Sequence, residues 1–173
     1  MKRAECSLRS GYVWVVILLG WWSSCVRANI WYVDKSAPGP AHNGLSWGTA
    51  FTQVQSAIDA ANSGDSIYVA AGTYAQNLSN RLVSSVAVDA ALYGGFPAGG
   101  GLWSQRNPGT YQTYLVGVGG VPVILIRGGA GPGTLIDGFY ITGGKNTIHG
   151  GGIKISESAP IIRGNYIYGY NYR

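Results

Sequence analysis

Few side chains in this sequence could carry out covalent chemistry, and their spacing limits what they could do. Beyond residue 28 the acids are Asp34, Asp59, Asp65, Asp89, Asp137 and Glu157. They include no Asp-x-Asp or other closely spaced carboxylate pair. Hydrolysis of a glycosidic bond needs two carboxyl groups ~5–10 Å apart. Only Asp137 and Glu157 could meet this way, through stacking of successive chain segments. Asp137 reads better as a turn residue or as the ion-pair partner of Arg163. His42 and His149, the only histidines, are far apart and flanked by turn residues, so each reads as a loop side chain rather than a metal ligand. Cys6 and Cys25 both precede residue 28, so the rest of the chain holds no disulfide, thiol nucleophile or thiolate metal site. These residues define no catalytic, metal-binding or cofactor-binding set.

Glycine runs and aromatics supply the remaining candidates. Gly99-Gly100-Gly101 and Gly128-Gly129-Ala130-Gly131-Pro132-Gly133 lack the lysine and helix start of a phosphate-binding loop and read as loops. Asn77-Leu78-Ser79 fits a glycosylation acceptor, relevant only in a eukaryotic secretory pathway. Tyr166, Tyr168, Tyr170 and Tyr172 alternate, which places several rings on one face of a strand. An exposed aromatic row can stack on sugar rings, making Tyr166, Tyr168 and Tyr170 glycan-stacking candidates. The competing reading is an ordinary aromatic ladder, with Tyr140 over Tyr166.

The elements that must position these residues begin after a distinct leader. Lys2, Arg3 and Arg9 precede an uncharged apolar run from Gly11 to Trp22, and Val26 and Ala28 stand at the −3 and −1 places of a cleavage site. Residues 1–28 therefore read as a secretory signal peptide. The run is shorter than the ~20 residues needed to span a bilayer, so no span is expected once it is removed. The alternatives are an uncleaved anchor or a lipid-bearing Cys25. Of the net charge of +5, the leader contributes +3, so the basic pI near 9.3 does not indicate a nucleic-acid partner. Glycine, 28 of 173 residues, exceeds the usual ~7% without collagen's period of three.

Residues 29–65 read as a strand at Ile30–Val33, a loop over 34–48, and a helix from about Thr49 to Ala61. Ala50, Phe51, Val54, Ile58 and Ala61 form the helix's apolar stripe, and Gly64 ends it. Residues 66–173 read as short strands punctuated by glycine: Ile67–Ala70, turned by Ala71–Tyr74; Val86–Tyr93, closed by Gly94-Gly95; Val121–Ile126; Phe139–Thr142; Gly152–Ser156; and Tyr166–Tyr168. No second helical pattern intervenes, which excludes alternating β–α units.

An internal repeat selects among the all-β options. Thr134-Leu-Ile-Asp-Gly-Phe-Tyr-Ile-Thr-Gly-Gly144 aligns without gaps to Pro160-Ile-Ile-Arg-Gly-Asn-Tyr-Ile-Tyr-Gly-Tyr170, 26 residues on. Five of the 11 pairs are identical: Ile136/Ile162, Gly138/Gly164, Tyr140/Tyr166, Ile141/Ile167 and Gly143/Gly169. Such a repeat suits a parallel β-solenoid, whose coils pair ~4.8 Å apart. With a corner near Gly138, Ile136, Phe139 and Ile141 point inward, and Ile162 and Ile167 stack on Ile136 and Ile141. Asp137 and Arg163 then become outside neighbours, an exposed pair worth at most ~1 kcal/mol.

Trp31-Tyr32-Val33-Asp34, Gly44-Leu45-Ser46-Trp47-Gly48-Thr49-Ala50-Phe51 and the stretch Gln55 to Tyr74 resemble the opening of secreted bacterial right-handed parallel β-helix proteins, the pectin-lyase-like proteins. Leu92-Tyr93-Gly94-Gly95-Phe96, Trp103, Arg106 and Leu135-Ile136-Asp137-Gly138-Phe139 are similar too. Gly150-Gly151-Gly152-Ile153 resembles the Gly-Gly-Ala-Ile element of polymorphic outer-membrane and adhesin-like β-helices, with Gly152 in place of the alanine. The resemblance implies an all-β, right-handed parallel β-helix over 66–173, capped at its N-terminal end by the amphipathic helix. The stop at Arg173 without a capping element suggests a C-terminally incomplete chain. Pectate-lyase-like catalysis would need acidic calcium ligands gathered on one face, and the acids here are scattered. The expected function is therefore an exported, non-catalytic scaffold, adhesin-like or glycan-binding. The alternative is the first part of a polysaccharide lyase or glycoside hydrolase whose site lies beyond residue 173.

Overall fold

The computed structural model describes residues 27–75, 82–85, 89–117, 122–128, 130–144 and 151–169. Residues 1–26 of the leader and the Asn77 acceptor, with His149, Tyr170 and Tyr172, therefore lie outside the described residues. Twelve strands are described: β1 (Ile30–Val33), β2 (Ser66–Ala70), β3 (Gly72–Ala75), β4 (Leu82–Ser85), β5 (Ala91–Phe96), β6 (Thr113–Val116), β7 (Ile124–Arg127), β8 (Leu135–Asp137), β9 (Tyr140–Thr142), β10 (Ile153–Ile155), β11 (Ile161–Arg163) and β12 (Tyr166–Tyr168). One α-helix accompanies them, α1 (Val54–Ala60).

The strands form three sheets, and all their pairings are parallel. A five-stranded sheet has the order β1-β2-β5-β8-β11, a four-stranded one β12-β9-β6-β3, and a three-stranded one β10-β7-β4. From β2 onward the chain visits the five-, four- and three-stranded sheets in rotation, so each circuit lays one strand on each sheet. Strands of three to six residues make few hydrogen bonds of their own, and the neighbouring circuits supply the rest.

The inward positions stack in columns. In the five-stranded sheet Trp31, Ile67, Leu92, Ile136 and Ile162 share one register position. In the four-stranded sheet Tyr74, Leu115, Ile141 and Ile167 share another. Ile136, Phe139 and Ile141 are buried as the parity argument requires, and Ile162 and Ile167 pair with Ile136 and Ile141. All four glycines at identical repeat positions, Gly138, Gly164, Gly143 and Gly169, have positive φ. Val54, Ala57 and Ala61 bury the stripe of α1, which packs against β1, β2 and β4. Of these, β1 and β4 are the end strands of their sheets.

Several expected boundaries differ. The helix begins at Val54 rather than Thr49, because the Phe51 N–H donates to Tyr32 O and Asp34 N–H donates to Phe51 O, holding residue 51 extended beside Val33. Trp47–Thr49 is instead a single 3-10 turn, capped by the Ser46 hydroxyl, which accepts from Thr49 N–H. Gly72–Tyr74 is strand rather than turn, because β6 pairs along it. Gly94-Gly95 does not close β5 but lies within it. There Gly94 meets β8 so closely that a Cβ would lie 2.7 Å from Gly138 O.

Gly138 shows how much the stacking depends on glycine. Its φ is +82°, and a Cβ would overlap the Arg106 guanidinium and lie 2.8 Å from Pro108 Cγ. Gly39 has a similar φ of +88° with open space around it. Gly39→Ala is expected to cost only the left-handed backbone strain, ~1–2 kcal/mol. Gly138→Ala should cost at least ~1 kcal/mol more, because buried neighbours must shift. Denaturant unfolding of the two variants measures the difference, and equal losses would show that close approach at Gly138 is unimportant.

Candidate functional site

Asp137 joins three circuits. Its Oδ2 accepts from Arg163 Nε at 2.8 Å and its Oδ1 from Arg106 Nη2 at 2.8 Å. Arg106 also donates through Nε to Gly94 O and through Nη2 to Asp137 O. The Asp137–Arg163 pairing agrees with the repeat, but the pair is not simply an exposed one. The carboxylate and Arg106 are both 13% exposed, and only Arg163, at 61%, reaches solvent. Arg106, from the segment between β5 and β6, was not expected here. Burial pushes the Asp137 carboxyl up, but hydrogen bonds and charge from Arg106 and Arg163 outweigh it and hold the group below the usual carboxylate range.

The other aspartates are also engaged. Asp65 accepts from Asn29 N–H, Asn62 N–H and the Trp31 indole. Burial raises its pKa, but these donors overcome the effect and lower it. Asp34 accepts from Ser36 and Gly99 N–H groups. Asp89 accepts from Gly131 N–H and the Thr134 hydroxyl. Asp59 accepts from Gln55 on the same helix. Glu157 is exposed in a loop with φ 50°, and no bond joins it to Asp137. Among the described residues no group of three His, Cys, Asp or Glu gathers to hold a metal ion. His42 Nδ1 lies 3.0 Å from Ala50 O.

Aromatic side chains dominate two outer faces. On the four-stranded sheet Tyr114, Tyr140 and Tyr166 share one register position, with centroids 5.1 and 5.6 Å apart. Tyr168 lies 5.2 Å from Tyr166, two residues along β12. Tyr166 is 62% exposed. Gln112 ties the inner part of the row, donating to the Tyr140 hydroxyl and accepting from that of Tyr114. On the five-stranded sheet Tyr32, Tyr68 and Tyr93 share the outward position that Asp137 and Arg163 continue. Trp47, Phe96 and Trp103 pack among these tyrosines. Arg106 lies 5.4 Å from the Tyr93 centroid and 5.3 Å from that of Trp103. Alternation along β12 pointed to the first face. The second is assembled from segments with no local periodicity.

Asp137→Asn is expected to destabilise the chain by ~3 kcal/mol at pH 7, since it leaves Arg106 uncompensated. Arg163→Ala should cost no more than ~1 kcal/mol, because that partner is largely exposed. The folded pKa of Asp137 lies below its unfolded value, so its contribution is complete above about pH 4 and is lost as pH falls through the folded pKa. The gap between wild type and Asp137→Asn should therefore narrow from pH 7 to pH 3 in denaturant titrations. A constant gap would contradict this assignment.

The family model described as a protein of unknown function, DUF1565, matches residues 39–173. No curated protein and no solved structure matches the chain. With three quarters of its length covered, the chain belongs to the DUF1565 family.

Proposed function

We propose that this protein is an exported, non-catalytic scaffold that binds glycans, displayed on the cell surface or secreted. Its architecture in this reading is a right-handed parallel β-helix of the pectin-lyase-like type, with residues 1–28 a cleaved signal peptide and α1 covering the first circuit. The three-sheet rotation and the register of the 26-residue repeat support that architecture.

The observation that carries the functional reading is how the polar and aromatic groups are used. Asp34, Asp65, Asp89 and Asp137 all serve as acceptors joining distant chain segments. A carboxylate held ionised between two arginines is a poor general acid. The outer faces, by contrast, present partly exposed aromatic rings, the side chains best suited to the apolar face of a sugar. No helix among the described residues is long and apolar enough to cross a membrane. No basic stripe favours nucleic acid as a partner.

Expression of the full chain in a bacterial host tests the reading. Mass spectrometry should find the exported protein beginning at Asn29. It should bind oligosaccharides on a glycan array and should not cleave polysaccharides in lyase and reducing-sugar assays. Retention of the chain in the cytoplasm, or cleavage of a polysaccharide, would contradict it.

A further inference from the structure

We propose that the glycan contact lies on the outer face of the five-stranded sheet, where Trp103 stacks on a pyranose ring of a neutral polysaccharide and Tyr68, Tyr93 and Arg163 bond its hydroxyls. This rests on the glycan-binding reading and moves the contact away from Tyr166 and Tyr168.

Trp103 is 50% exposed although it packs against Tyr68 and Tyr93, with centroids 5.4 and 4.9 Å away. Leu102 beside it is 71% exposed. An apolar patch alone would suit many partners, but the polar groups within this one narrow the choice. Phenol and indole groups need a hydrogen-bond partner, from the protein when buried and from solvent or a ligand when partly exposed. The hydroxyls of Tyr32, Tyr68 and Tyr93 and the Trp103 indole N–H make no hydrogen bond to any described residue. Burial and the neighbouring Tyr32 and Tyr93 raise the Tyr68 pKa, so its hydroxyl stays protonated as a donor. At the far end of the same outward column, Arg163 uses only Nε on Asp137, and its terminal nitrogens have no partner among the described residues.

Ring faces bordered by unspent donors match a pyranose, which has an apolar C–H face and a rim of hydroxyls. The tyrosines are neighbours in the column, with ring centroids 6.0 and 5.9 Å apart, close to the length of one pyranose residue, so the column suits an extended chain. A nucleic-acid strand would require a cationic groove. Here Asp137 offsets one of the two guanidiniums, and Arg106 is spent on Gly94 and Asp137. The tyrosine row on the four-stranded sheet is less suited, because Gln112 already occupies the hydroxyls of Tyr114 and Tyr140.

The test screens the full chain against an array of neutral and acidic oligosaccharides and then titrates variants with the strongest neutral binder. Trp103→Ala should weaken binding at least about tenfold, and Trp103→Phe should retain most of it. Tyr68→Phe should cost about threefold, the loss of one hydrogen bond, at an unchanged melting temperature. Tyr166→Ala should have no effect. Binding that survives Trp103→Ala and Tyr68→Phe but fails in Tyr166→Ala would overturn the placement and leave the glycan-binding reading intact. Binding of acidic oligosaccharides alone would overturn the neutral ligand. Binding of no oligosaccharide would overturn the placement together with the glycan-binding reading.

Discussion

The structure depends on in-register parallel pairing between successive circuits. A three-residue strand such as β8 or β9 satisfies almost none of its own backbone groups, so it persists only where a neighbour presents a matching strand. That requirement governs side chains as well. A residue at one position stands directly beside its counterparts one circuit before and after, so branched residues stack on branched residues and glycines on glycines. The columns from Ile67 to Ile162 and from Leu115 to Ile167 are this rule repeated, each headed by an aromatic residue, Trp31 or Tyr74.

The same rule explains why charge is confined to particular places. In its column Asp137 has Tyr93 on one side and Arg163 on the other, so a second counter-charge must come from a segment that intervenes. At Asp137 the intervening segment is the excursion after β5, which brings Arg106 over Gly94 and Gly138 and onto the carboxylate. Gly94 and Gly138 leave the room that the guanidinium fills. Tyr93 and Trp103 flank Arg106, so the ion pair and the outer aromatic cluster form one unit. Stability and surface chemistry meet at this arginine.

Much of this was legible in the sequence where the repeat spoke. The alignment of 134–144 with 160–170 placed Ile136, Ile141, Ile162 and Ile167, paired Asp137 with Arg163, and stacked Tyr140 on Tyr166. Elsewhere the signal was too short. β4, β6, β8 and β11, of three or four residues each, carry no usable periodicity. The start of α1 is hard to read because Ala50 and Phe51 fit a helical stripe, while the Ala50 N–H closes the 3-10 turn on Trp47 O and the Phe51 N–H bonds to Tyr32 O in β1, holding residue 51 extended. Arg106 lies 31 residues before Asp137, and no local pattern announces such a contact. The aromatic face around Trp103 is hidden for the same reason, since its rings come from five separate segments.

Register is the most direct thing to measure. In a chain with Cys6 and Cys25 changed to serine, Tyr140→Cys combined with Tyr166→Cys places two thiols at paired positions on one outer face. Parallel neighbours ~4.8 Å apart fall within the Cα separation that a disulfide accepts. Mild oxidation should close this bridge within the folded monomer. Tyr140→Cys combined with Ile167→Cys puts the thiols on opposite faces and should leave both free. A bridge in the second chain, or none in the first, would contradict the stacked-circuit account.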